Sequence, residues 1–111
     1  MSDTWIDIGR IDEIPRKGSR VVKTVSGDVA VFRTADDTVF ALRDRCPHKG
    51  GPLSQGIVHG TSVTCPLHNW VIGLDSGSAQ GNDKGCTKRF LVKVEAGRIY
   101  LDVTLALPRV A

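Results

Sequence analysis

Two short segments hold most of the side chains able to bind a soft metal. Cys46-Pro47-His48-Lys49-Gly50-Gly51-Pro52 reads C-x-H, and Cys65-Pro66-Leu67-His68-Asn69-Trp70 reads C-x-x-H, with sixteen residues between His48 and Cys65. Each arm supplies one sulfur and one imidazole, and four such donors in two short arms make a metal site. Zinc accepts two cysteines and two histidines, usually with the cysteines in one arm and the histidines in the other. The mixed arms here suit a pair of irons, with two thiolates on one and two imidazoles on the other. Nearby glycines fit that reading, because a bare backbone lets N–H groups approach negatively charged bridging sulfides. A single structural zinc is the alternative at this point.

These arms need elements to carry them. The chain reads as short β-branched segments between Gly, Asp and Asn, the composition of strands and turns. Trp5-Ile6-Asp7-Ile8 alternates. Arg20–Val25 and Val29–Arg33 flank Ser26-Gly27-Asp28, which reads as a hairpin turn, and Asp36-Asp37 is the turn before Thr38–Leu42. Phe90–Val94 and Arg98–Val103 flank Glu95-Ala96-Gly97, a second hairpin signal. Asp12-Glu13-Ile14-Pro15 predicts one helical turn stopped by proline, and no window sustains a helical period. The expected fold class is all-β.

Between Asp44 and Lys88 eight glycines and three prolines crowd among few large apolar residues. Such a stretch is not expected to build its own hydrophobic core easily, yet it is too long for one structureless loop. Either it is mobile or something other than apolar packing orders it. The expected organisation is one domain over residues 1–111, with a cluster-binding subdomain at about 44–88.

Composition narrows the function. The 41% apolar and 24% charged fractions are those of a soluble globular chain. Fifteen basic against twelve acidic residues give +3, but no run of like charge forms a nucleic-acid tail and no groove-reading motif accompanies the bias. No apolar segment is long enough to span a membrane, and Met1–Trp5 lacks the pattern of a signal peptide. Three cysteines, an odd number, argue against a disulfide framework, so the expected compartment is the reducing cytoplasm.

Both arms, their spacing and the flanking strands together resemble the Rieske [2Fe–2S] family over essentially the whole chain. The resemblance implies an antiparallel β-sandwich with a loop-rich cluster-binding subdomain and one [2Fe–2S] cluster. Cys46 and Cys65 would ligate one iron, and His48 and His68 the other. Respiratory members brace the arms with an extra disulfide, but Gly51 and Leu67 occupy those places here. They also place a hydroxyl donor after the second arm, where this chain has Asn69 and Trp70. Fewer donors to the sulfides imply a potential in the lower half of the Rieske range of roughly −150 to +300 mV.

Within that family, Cys46–Val58, Val63–Trp70 and above all Gly81-Asn82-Asp83-Lys84-Gly85-Cys86 are similar to the small subunit of assimilatory NAD(P)H-dependent nitrite reductases. The resemblance implies electron transfer beside a large subunit carrying flavin, a [4Fe–4S] cluster and sirohaem, which reduces nitrite to ammonia. Ferredoxins of ring-hydroxylating dioxygenases are the alternative, and usually lack a cysteine at the place of Cys86. The expected role of Cys86 is plain packing. His59 is expected at an exposed strand end or turn. Trp70 is expected to cover the core beneath the arms, and Lys49 to be exposed beside the cluster. The apolar residues after Val103 are expected to dock on the scaffold or on a partner.

Overall fold

The computed structural model describes residues 5–24, 27–45, 52–65, 70–79, 85, 87 and 89–107, without the side chains of 103–107. Nine strands and two short 3-10 turns account for its regular structure. The strands are β1 (Trp5–Arg10), β2 (Ser19–Thr24), β3 (Gly27–Arg33), β4 (Val39–Arg43), β5 (Ile57–His59), β6 (Ser62–Thr64), β7 (Val71–Gly73), β8 (Arg89–Glu95) and β9 (Arg98–Leu107). The 3-10 turns are Ile11–Glu13 and Leu53–Gln55. All pairings are antiparallel. Six strands form one sheet in the order β1-β9-β8-β4-β3-β2, and β5-β6-β7 form a second. The fold is therefore all-β, as the strand pattern predicts. Among the described residues no helix is long and apolar enough to cross a membrane.

The large sheet curls until its edges meet. Arg20 of β2 donates to the carbonyl of Ile8 in β1, and Glu13 lies 3.9 Å from the same guanidinium. Arg33 reinforces the seam by donating to the carbonyls of Ile11 and Ile14, at 3.1 and 2.7 Å. Side chains thus satisfy edge carbonyls that strand pairing leaves open.

One strand serves two cores. Side chains alternate across a strand, and Val29-Ala30-Val31-Phe32 of β3 is buried on both faces. Val29 and Val31 pack inside the curled sheet with Ile8, Ile14, Ala41, Phe90, Ile99 and Leu101. Ala30 and Phe32 face outward and, with Leu42 of β4, meet Leu53, Val58, Val63, Cys65, Ile72 and Leu74. The glycine-rich stretch therefore builds no core of its own, as its composition predicts, but shares one with the outer face of the large sheet. Single apolar residues on strands three residues long suffice once the outer face of β3 and β4 completes the cluster.

Turns follow the expected positions with one correction. Gly27 and Asp28 belong to β3, where they pair with Thr24 and Lys23, so the β2–β3 connection is residues 25–26. Asp37 stands at φ 70 in the β3–β4 turn, and Ala96 and Gly97 at φ 52 and 78 make the primed turn between β8 and β9. Asp12 and Glu13 fall in the first 3-10 turn, as the proline stop predicts. β9 runs on to Leu107, and Arg89 pairs with Leu107 across an irregular register.

The perturbed carboxylates all lie on the scaffold. A hydrogen bond from Arg98, at 2.6 Å, holds the Asp7 carboxyl below the ordinary range. Donation from the Thr34 and Thr38 hydroxyls does the same for Asp36. Arg16 and Arg33 do so for Asp37, at 2.9 and 2.8 Å.

Candidate metal centre

Three loops leave the region where the two sheets meet, and each is tied at its neck. The first arm begins after β4 and ends in the second 3-10 turn. Asp44 anchors its start, donating its N–H to Asp28 of β3 at 3.0 Å. The carboxylate of Asp44 then accepts from the Ser54 N–H at 2.7 Å and the Ser54 hydroxyl at 2.8 Å. Ser54 is held in turn by β2, because its carbonyl accepts from the Ser19 hydroxyl at 2.6 Å. Cys46 and His48 lie between these anchors, outside the described residues.

The second arm is the tip of the β6–β7 hairpin. Thr64 pairs with Val71, and the Cys65 N–H donates to the Trp70 carbonyl at 2.7 Å, leaving 66–69 as the tip. His68 is in that tip and lies outside the described residues. Cys65 is fully buried against Phe32 and Leu42 of the scaffold. Trp70 is half-buried and packs on the same cluster, the covering role its position suggests.

The third loop, 80–84, is closed by backbone bonds. Ala79 donates to Gly85 at 2.9 Å and Thr87 to Gly77 at 2.7 Å. Gly77 has φ 73, and a Cβ there would press on the Thr87 carbonyl, so the close crossing requires glycine. The buried Thr87 hydroxyl reaches the Arg43 carbonyl at 3.4 Å, which ties this loop to the start of the first. Cys86 and Lys49 lie outside the described residues.

The first two necks are in contact. A Cβ at Gly56 would collide with the Thr64 carbonyl oxygen and with Val63, so the foot of the first arm lies directly on the strand that leads into Cys65. The elements therefore bring the bases of the Cys46/His48 and Cys65/His68 arms together. Among the described residues no group of three or more His, Cys, Asp or Glu could hold a metal, three of the four expected donors being elsewhere. His59 is exposed at the end of β5 as expected, and its Nε2 lies 2.7 Å from the Thr64 hydroxyl, beside Cys65.

Sequence reasoning named the expected donors but not the anchors Asp44, Ser54, Ser19 and Thr87. The available signal was a carboxylate two residues before Cys46 and a serine shortly after Pro52. Such short polar side chains favour local backbone bonds, but their partners here are distant in the chain.

The Rieske [2Fe-2S] domain matches residues 4–95, most of the chain. The chain belongs to that family. A Rieske domain carries one [2Fe–2S] cluster and transfers electrons, and the donor types here fit it: two cysteine sulfurs and two imidazoles, with Cys65 in a buried position. The ferredoxin component of a 2,4-dinitrotoluene dioxygenase system from Burkholderia sp. (strain RASC) is 31% identical over 91% of this chain and 97% of its own length. A 4β-methylsterol monooxygenase from Methylococcus capsulatus is 45% identical over 56 residues, covering 50% of this Rieske chain but only 15% of the relative. Among solved structures, one described as a candidate NADH-dependent nitrite reductase small subunit from Mycobacterium tuberculosis superposes with TM-score 0.79. It is 26% identical and covers 96% of both chains.

Proposed function

We propose that this chain is a one-electron carrier in which Cys46 and Cys65 ligate one iron and His48 and His68 the other. What supports this reading is that the segments holding Cys46/His48 and Cys65/His68 extend from necks that adjoin and are tied. When bound, the cluster supplies one-electron transfer. The chain's residues hold and shield it. The turn at Cys65 keeps its sulfur out of water, in surroundings where a bound metal would take up the charge of its thiolate. Trp70 covers the apolar cluster beneath, and the carboxylate of Asp44 keeps the first arm closed.

The partner we infer is the large subunit of a cytoplasmic NAD(P)H-dependent nitrite reductase carrying flavin, a [4Fe–4S] cluster and sirohaem. The Gly81–Cys86 segment and the likeness to the mycobacterial protein across nearly all of both chains support it. A second reading, a free-standing ferredoxin serving a ring-hydroxylating dioxygenase, is favoured by the full-length Burkholderia relative.

Iron and acid-labile sulfide analysis with an EPR spectrum of the dithionite-reduced protein tests the cluster. Equal iron and sulfide with a Rieske-type signal is expected, and one zinc without sulfide would sink the reading. Mixing the reduced protein with a sirohaem subunit and with a ring-hydroxylating oxygenase then tests the partner. Rapid reoxidation by the sirohaem subunit alone is expected. Reoxidation by the oxygenase alone selects the second reading.

A further inference from the structure

We propose that Asp44 is a positioning residue, whose carboxylate closes the neck of the first arm and so fixes Cys46 and His48 for cluster binding. The inference rests on the ligand set proposed above.

Both carboxylate oxygens of Asp44 are committed to one residue ten positions on, the N–H at 2.7 Å and the hydroxyl at 2.8 Å of Ser54. Hydrogen bonds to an ionised acceptor are the stronger kind, and this pair is partly screened from water. Each side of the neck is then fixed to a different strand, Asp44 to β3 through Asp28 and Ser54 to β2 through Ser19. The other two loops are closed by main-chain bonds, Cys65 to Trp70 and Ala79 to Gly85. Among the described residues, the first arm has its two ends joined by a carboxylate and the other two loops do not, so a substitution can open it without altering the backbone. No covalent brace can substitute. With Cys46 and Cys65 as ligands, one cysteine of the three is left, and it has no disulfide partner within the chain.

The test compares the holo-protein with D44A, D44N, S54A and a control, D7A, which removes the Arg98 bridge of the β1–β9 pair. Bleaching in excess chelator reads how often the arm opens, and the EPR line shape of the reduced cluster reads how uniformly its ligands are held. D44A, which loses both bonds, is expected to bleach at least about tenfold faster, tenfold being the effect of roughly one charge-assisted bond, with a broadened signal. In D44N the amide oxygen still accepts from the Ser54 N–H and the amide N–H donates to its hydroxyl, but without charge assistance, so the rate falls between wild type and D44A with a line shape near wild type. D7A keeps the wild-type rate and signal.

Equal bleaching of D44A and D7A with an unchanged signal overturns the proposal, as does a D44N protein that leaks like D44A. Should D44A fail to fold, S54A decides, since it removes only the hydroxyl bond. An intermediate rate supports the role, and a wild-type rate and line shape overturn it. Wild-type protein without iron would sink the proposed function alone. Hydrogen exchange at the Ser54 amide still reads the neck without a cluster: protection lost in D44A supports the clamp, and an unprotected wild-type amide overturns it.

Discussion

The two sheets differ in what holds them. In the large sheet the six strands run from five to ten residues, pair in ladders of five or six residues except for the two-residue β4–β8 pairing, and enclose a core to which the small sheet contributes nothing. In the small sheet each strand has three residues, and its apolar side chains complete a core only with Ala30, Phe32 and Leu42 of the large one. Dependence therefore runs one way. Strands of that length are not stable alone, so tied necks and scaffold contacts must supply what ladders do not. The difference shows how an electron carrier can separate a durable frame from the part that presents its cofactor.

Removing the metal should break the comparison most sharply. Chelation, or a C65A substitution, is expected to abolish iron binding and strip exchange protection from β5–β7 while the β8–β9 ladder stays protected. Hydrogen exchange of apo- and holo-protein measures it. Equal loss in both sheets would show that the frame is not independent.

Core truncations sharpen the same point. Leu101→Ala, inside the curled sheet, should cost about 2–5 kcal/mol of global stability in urea unfolding. Ile72→Ala in the shared core should act first on β5–β7. Loss of β1 and β9 protection at the same low urea concentration would contradict that order.

A smaller effect is expected where the necks touch. Gly56→Ala forces the first arm off the Thr64 carbonyl, a clash of roughly 1–3 kcal/mol by analogy with overpacked cores. Iron content and unfolding midpoint should both fall. An unchanged iron content would separate the neck contact from ligand placement.

Acid should have the gentlest effect, and it falls on the frame. Asp7, Asp36 and Asp37 titrate below the ordinary carboxylate range when folded. Their contribution is therefore complete above the unfolded carboxylate value and is lost as pH falls through the lower folded values. These groups are exposed, so solvent limits the effect. Urea unfolding of apo-protein from pH 6 to pH 3 should show declining stability, less steeply in D37N. A parallel decline in D37N would remove Asp37 from the account.

Much of this molecule was legible before its structure. Alternation in Trp5–Ile8 and β-branched runs beside turn residues in Val29–Arg33 and Phe90–Val94 predict strands that the fold contains, because these are local properties of the sequence. The two mixed Cys/His arms likewise point to a metal through donor type and spacing, and their resemblance to the Rieske family implies the [2Fe–2S] cluster. The three short strands β5–β7 were not legible. With three residues apiece, no period can be counted, and their stability comes from Phe32 and Leu42, distant in the chain. Asp44 and Ser54 escaped for the same reason, since neither residue type predicts a partner across an arm.

By itself, then, the amino-acid sequence determined the all-β class, the family and the four donors expected to hold the cluster, all of which follow from residue type and near-neighbour order. Tertiary structure alone decided that β3 faces two cores, that Arg20 and Arg33 seal the curled sheet, and that Asp44 ties the first arm against β2 and β3. Those contacts join residues far apart in the chain, and only the closed fold brings them within bonding distance.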